Sequence, residues 1–190
     1  DNEIVKCVQL SHDVPSFAFV YEEKDRQGTF DLNKAKEANI PGGPVYGRLS
    51  RGENVVLGDG REFCGADFIG PSRKGRKVII AGDNDSPDLL AEDLQDADLF
   101  VHEATHTIEV KENLTWDSRH STAAAVAEIA EKRSVHNLII THISARFSLR
   151  VRDNDNASIY RVREEAESFY NGNLNMAQDY DCFSLSRQGD

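Results

Sequence analysis

Apolar residues fall along this chain in two textures. From Gly75 onward, short apolar runs alternate with longer stretches in which apolar residues return every three or four positions. The runs Arg76 to Ala81, Asp98 to His102 and Asn137 to Thr141 predict strands, and Gln178 to Leu185 predicts a last one. Between them, Ser86 to Leu94 opening on Pro87, Ser121 to Arg133 capped by Ser121 or Thr122, and Ala157 to Tyr170 predict helices. Ile4 to Leu10 and Ser16 to Glu22 predict two earlier strands. Strands alternating with helices of about 10–15 residues are the pattern of an α/β layer.

From roughly Glu23 to Lys74 the texture changes. This stretch holds nine of the thirteen glycines and three of the five prolines, and its cluster Pro41-Gly42-Gly43-Pro44 is incompatible with regular helix or strand. Asp31 to Ala38 predicts a short helix with Asp31 as its N-cap, and Asn54 to Phe63 a hairpin turning on Gly58-Asp59-Gly60. The stretch reads as a long insertion in the α/β layer, and insertions of this size without regular structure are usually functional.

Composition narrows the classes. The 190 residues suit one ordinary domain or two small ones, and 33 acids against 22 bases give a net charge of -11. A field of that sign opposes nucleic acid and anionic membranes, so any polyanion site needs a local basic patch. The charge is uneven: Asp83 to Asp117 has eleven acids and one base, whereas Glu22 to Lys77 has nine acids and eleven bases. No apolar run has membrane-span length, and Asp1-Asn2-Glu3 lacks signal-peptide character. Cys7, Cys64 and Cys182 form no C-x-x-C pair, which argues against a disulfide framework or a structural zinc site and fits a reducing cytoplasm.

Three predicted strands end in residues able to bind metal: Asp83, His102-Glu103 and His142. Ligands gather at the carboxyl ends of strands in α/β sheets, so these residues can meet although far apart in sequence. His12 and His120 are natural additions. His102-Glu103-Ala104-Thr105-His106 matches the zinc-protease pattern H-E-x-x-H, but that chemistry needs both imidazoles on one helical face. Here the motif ends a strand, so the match is accidental.

These residues lie in segments that resemble the ribonuclease Z family, tRNA 3′-processing endonucleases of the metallo-β-lactamase superfamily. The segments are Ile80-Ala81-Gly82-Asp83, Asp98 to Thr105, His120-Ser121-Thr122 and Ile140 to Phe147. Upstream, His12-Asp13-Val14-Pro15-Ser16-Phe17 with Glu22-Glu23-Lys24 resembles a further metal-binding block, and Ile40 to Gly47 the family's projecting arm.

The resemblance implies the second, C-terminal half of an αββα sandwich spanning 1–190, with a flexible tRNA-binding arm inserted at 23–75. It implies a pair of zinc ions, with Asp83 bridging them and His12 and His142 each holding one. Such a pair activates water and clamps both oxygens of an in-line displacement. His120 is then the acid that protonates the departing ribose oxygen, with Glu103 holding it in place. Lys24, Arg26, Lys34, Lys36, Arg48 and Arg51 would contact phosphates of precursor tRNA, and Gly42 and Gly43 would let the backbone approach the RNA. A cytoplasmic homodimer without membrane attachment completes the expectation, and His106 and His136 are left as ordinary histidines.

One departure is large. The family's H-x-H-x-D-H block has no counterpart, since no His-x-His occurs in the chain, and the resemblance begins near the middle of a family member. Asn84 stands where threonine is usual, and His106 where an aromatic residue is common. The chain is then part of an intact enzyme, one subunit of a split enzyme, or a non-catalytic remnant that keeps RNA binding. A phosphodiesterase for small substrates is the remaining alternative, disfavoured by the long arm.

Overall fold

The computed structural model describes residues 3–148 and 157–186, so the ends of the expected span 1–190 lie outside the described residues. Along the chain run β1 (Glu3–Gln9), β2 (Phe17–Glu23), α1 (Leu32–Glu37), α2 (Pro44–Ser50), β3 (Val55–Val56) and β4 (Glu62–Phe63). They are followed by β5 (Lys77–Ala81), β6 (Leu99–Glu103), α3 (Ile108–Glu112), α4 (Ala123–Lys132), β7 (Asn137–Thr141), α5 (Tyr160–Glu167) and β8 (Asn173–Met176). The described residues form two compact units: 3–23 with 76–148 and 157–186, and the inserted Lys24–Gly75.

The larger unit is built on one sheet ordered β1-β2-β5-β6-β7-β8, antiparallel from β1 to β5 and parallel from β5 to β8. Strand alternation sorts its side chains into two faces. One face presents Ala18, Val20, Ile79, Phe100, Leu138 and Ile140, all buried in the core that also takes Val126, Ile129, Val162 and Ala166 from α4 and α5. Alanines at 123, 124, 127 and 130 are buried in α4, where small side chains let the helix approach its neighbours closely. The opposite face leaves Phe17, Phe19 and Ile80 exposed on neighbouring strands. Near β6 to β8, Phe183, Ser184 and Leu185 line a small cavity with Leu99 and Ile139, and Leu185 accepts a hydrogen bond from Arg76 at 2.8 Å.

Several expected elements change. Ser86 to Leu94 is not an α-helix: only Pro87–Leu90 forms a 3-10 turn, and further turns carry the chain to a left-handed Asp96. Acidic Glu92, Asp93 and Asp96 sit where a helix C-terminus disfavours negative charge. The last helix is shorter than Ala157 to Tyr170. The final strand is Asn173–Met176 rather than Gln178 to Leu185, where the Asp181 side chain accepts the Gln178 N–H and a left-handed Tyr180 turns the chain.

The Lys24–Gly75 unit has more regular structure than its glycine content suggests. Its core gathers Ala35, Ile40, Leu49, Val55 and Phe68. Asp31 caps α1 by accepting the Lys34 N–H at 2.9 Å, and β3 and β4 form the expected hairpin. The Pro41 to Pro44 cluster, expected to exclude helix, instead starts one: Gly43 takes φ 114 as N-cap, and Pro44 occupies the first turn, where its missing N–H costs nothing.

Candidate metal and catalytic centre

The site lies at the strand ends of the larger unit. β5 runs through Gly82 to Asp83, and a Cβ at Gly82 would stand 2.7 Å from Ser16 Oγ. Glycine therefore lets the end of β5 pass against the β1–β2 turn, which carries His12. Asn84, fully buried, ties the two together: its Oδ1 accepts the Ser11 N–H at 3.2 Å, and its carbonyl accepts the Ser121 hydroxyl at 2.5 Å. The loop after β6 meets the entry to α4 through Ala123 N–H donating to the His106 carbonyl, which brings His120 beside Glu103. β7 ends at Thr141, and His142 follows in the left-handed region at φ 54.

The structure brings all five predicted chemical residues together. His12 Nε2 lies 3.7 Å from Asp83 Oδ2, and His142 Nε2 lies 3.7 Å from Asp83 Oδ1. The His120 ring sits 4.9 Å from that of His12 and 5.2 Å from that of His142. One ligand atom from each of His12, Asp83 and His120 lies within 4.8 Å of the others.

The three rings are oriented alike. His12 Nδ1 faces the Arg119 carbonyl at 2.9 Å, His120 Nδ1 faces Glu103 Oε1 at 3.1 Å, and His142 Nδ1 faces Thr105 Oγ1 at 2.9 Å. A carbonyl or carboxylate can only accept, so Nδ1 of His12 and His120 carries a proton, and Nε2 is the nitrogen turned away from these partners. For His142 and His12 that nitrogen is the one facing Asp83. Two imidazole lone pairs flanking a carboxylate are a donor set suited to zinc, with the outer hydrogen bonds that orient such ligands already in place.

Glu103 is the hub of these outer bonds. It is 1% exposed and accepts from Asn84 N, His120 Nδ1 and Ser121 N on one oxygen, and from Thr105 N and Thr105 Oγ1 on the other. Four N–H groups and a hydroxyl converging on one buried side chain match the acceptor capacity of a carboxylate. One ligand atom from each of Glu103, His120 and His142 also lies within 4.8 Å of the others, and Nδ1 of both histidines is engaged by Glu103 and Thr105. Sequence reading did not see the hydrogen-bonding parts of Thr105, Asn84 and Ser121; Thr105 and Ser121 lie inside the quoted segments, and Asn84 was noted only as a departure beside one.

Of the H-E-x-x-H pair, His102 lies within β6, fully buried, and bonds Asn84 Nδ2 through Nε2 at 3.1 Å. His106 bonds Ser118 Oγ at 2.9 Å. Burial pushes both imidazoles below their ordinary range, and for His106 the neighbouring His120 adds to the effect. His136 is exposed, 3.5 Å from Asp98.

The predicted RNA contacts all lie in the Lys24–Gly75 unit. Lys24, Lys34, Lys36, Arg48 and Arg51 are exposed, as are Gly42 and Gly43, and Arg26 is half-buried. Arg48 and Arg51 both bind Glu53, at 3.1 and 2.8 Å, which reduces the charge they present outward. Lys34 donates to the Asp67 carbonyl at 2.6 Å.

No family model matches the chain. It is 45% identical to ribonuclease Z of Pseudomonas putida (strain GB-1) over 185 residues, covering 97% of this chain and 57% of that protein. It is 39% identical to ribonuclease Z of Brevibacillus brevis over 189 residues, covering 99% and 58%. Among solved structures, human tRNase Z, short form, aligns with TM-score 0.52 at 20% identity, covering 98% of this chain and 44% of that one. The metallo-β-lactamase fold protein YhfI of Bacillus subtilis aligns with TM-score 0.50 at 14% identity, covering 94% and 48%. The fold is that of a metallo-β-lactamase domain. By sequence the chain is similar to ribonuclease Z proteins, and it spans a little over half the length of the curated relatives it matches.

Proposed function

We propose that this chain forms part of a zinc-dependent endoribonuclease that removes the 3′ trailer from precursor tRNA, working in the cytoplasm as a homodimer. The observation that carries the reading is the convergence of His12 and His142 on the two oxygens of Asp83, with Glu103-bound His120 beside them. His12, Asp83 and His142 would hold the metal pair. When bound, such a pair supplies an activated water and a clamp for the phosphate oxygens.

The remaining steps belong to the chain's own residues. Glu103 accepts from His120 Nδ1 and fixes the ring, so that His120 Nε2 is turned to deliver a proton to the departing ribose oxygen. Arg119 keeps His12 in register twice over: its carbonyl accepts the His12 Nδ1 proton, and its guanidinium binds Asp85 at 2.9 Å. Thr105 does the same for His142, donating to Glu103 at 2.6 Å and accepting from His142 Nδ1.

Further donors come from an H-x-H-x-D-H segment in the part of the relatives' length that this chain does not span. Exposed Phe17, Phe19 and Ile80 support a second sheet packing on that face. The Lys24–Gly75 unit, with cations at Lys24, Lys34 and Lys36, clamps tRNA away from the cut. The test is cleavage of a precursor tRNA by the chain joined to its missing half. Trailer release at the tRNA 3′ end with stoichiometric zinc is expected; zinc-free protein that leaves the substrate whole contradicts the reading.

A further inference from the structure

We propose that an open recess beside His120 seats the nucleobase of a nucleotide flanking the phosphate that is cut, with Trp116 and Arg146 as its stacking platform. The proposal rests on the phosphodiesterase reading above and names a subsite for it. The recess has a volume of about 550 Å³, and its lining includes His106, Trp116, Ser118, His120, Ser144 and Arg146. That is within the range of small-ligand clefts, roughly 300–1,000 Å³.

Trp116 is the chain's single tryptophan, and it is 56% exposed, so it serves no core. The Arg146 guanidinium carbon lies over its ring, 5.2 Å from the centroid. An indole and a guanidinium plane are the two side-chain surfaces on which unpaired bases stack, and here they stand together. Polar edges complete the recess. His106 lines it, bonded to Ser118 through Nε2, while its Nδ1 is buried with no partner among the described residues. His120 joins the same lining, so a base held there belongs to a nucleotide next to the proton donor.

The single tryptophan of this chain makes the test direct, because excitation at wavelengths beyond tyrosine absorption reports Trp116 alone. A 5′-phosphorylated single-stranded ribotrinucleotide should quench it saturably, whereas ribose 5-phosphate, which lacks a base, should not. By anisotropy of the same oligonucleotide carrying a dye, Trp116→Ala should bind about tenfold more weakly, and Trp116→Phe within a few-fold of the parent. Arg146→Lys, which keeps charge but loses the plane, should also weaken binding. Equal quenching by ribose 5-phosphate, or undiminished affinity in Trp116→Ala, overturns the proposal. Saturable quenching of this chain supports the recess even where the chain joined to its missing half cuts no RNA, an outcome that tells against the catalytic reading, so the two failures are separable.

Discussion

The Thr105 hydroxyl stands 2.9 Å from Nδ1 of His142, the ring nitrogen opposite the one that faces Asp83. The same hydroxyl is 2.6 Å from Glu103, which has no proton to give, so Thr105 donates there and accepts from His142. One carboxylate thereby orients two histidines, His120 directly and His142 through Thr105. Thr105→Val preserves shape and removes the hydroxyl. It should weaken zinc affinity about 10–100-fold in a chelator competition, and Thr105→Ser should restore it. Equal affinity in the valine and serine variants would show that the hydroxyl does not hold the ring.

Glu103→Gln tests the hub. An amide has one acceptor oxygen and brings two N–H donors into a pocket already supplied with five donors. Loss of general-acid positioning predicts a fall in cleavage rate of about 10²–10⁴-fold. The buried mismatch predicts a stability loss of about 1–3 kcal/mol, readable by urea denaturation. A variant as stable and active as the parent removes Glu103 from the account.

Acid should destabilise the larger unit through its buried histidines. His102 and His106 are held neutral below their ordinary range by burial, so the unfolded chain binds protons more readily than the folded one. Stability then rises with pH where the unfolded groups titrate, and it is lost as pH falls below about 6.5. The limiting slope is about 1.4 kcal/mol per pH unit for each histidine. Urea midpoints between pH 7 and pH 5 should fall, and His106→Gln should flatten that fall; an unchanged slope contradicts the assignment.

The Lys24–Gly75 unit can be removed cleanly. Its flanking residues are neighbours: Glu23 N–H donates to the Arg76 carbonyl at 2.9 Å, and their side chains pair at 2.6 Å. Replacing the unit by a short Gly-Ser linker should leave the larger unit folded by circular dichroism. In the completed enzyme the deletion should abolish precursor tRNA cleavage while sparing hydrolysis of a small phosphodiester. Equal loss of both would mean that the unit serves the chemistry rather than tRNA binding.

Local pattern served best where an element buries one face against its neighbours. The expected strand Asn137 to Thr141 matches β7, and the Thr122 cap starts α4 where an N-cap residue precedes the alanine-rich run. It failed where side chains or charge override periodicity, as in the acidic turns after Leu90 and the Asp181 turn that displaces the last strand. At the site, His12, Asp83, Glu103, His120 and His142 were legible as polar residues at or near strand ends. Asn84 and Thr105 were not, because their partners Ser11, His102, Ser121 and His142 come from remote parts of the chain and only the fold joins them. The arm's charge was only partly legible, since Glu53 closes on Arg48 and Arg51.

The central claim is that Asp83 organises a metal-dependent phosphodiesterase centre. It is tested most directly by measuring zinc content and precursor tRNA cleavage on the same full-length samples of the parent and of Asp83→Ala. The account predicts that the variant loses zinc and cuts at least about 10³-fold more slowly, while its circular dichroism is unchanged. A variant that keeps its zinc and its cleavage rate would contradict it.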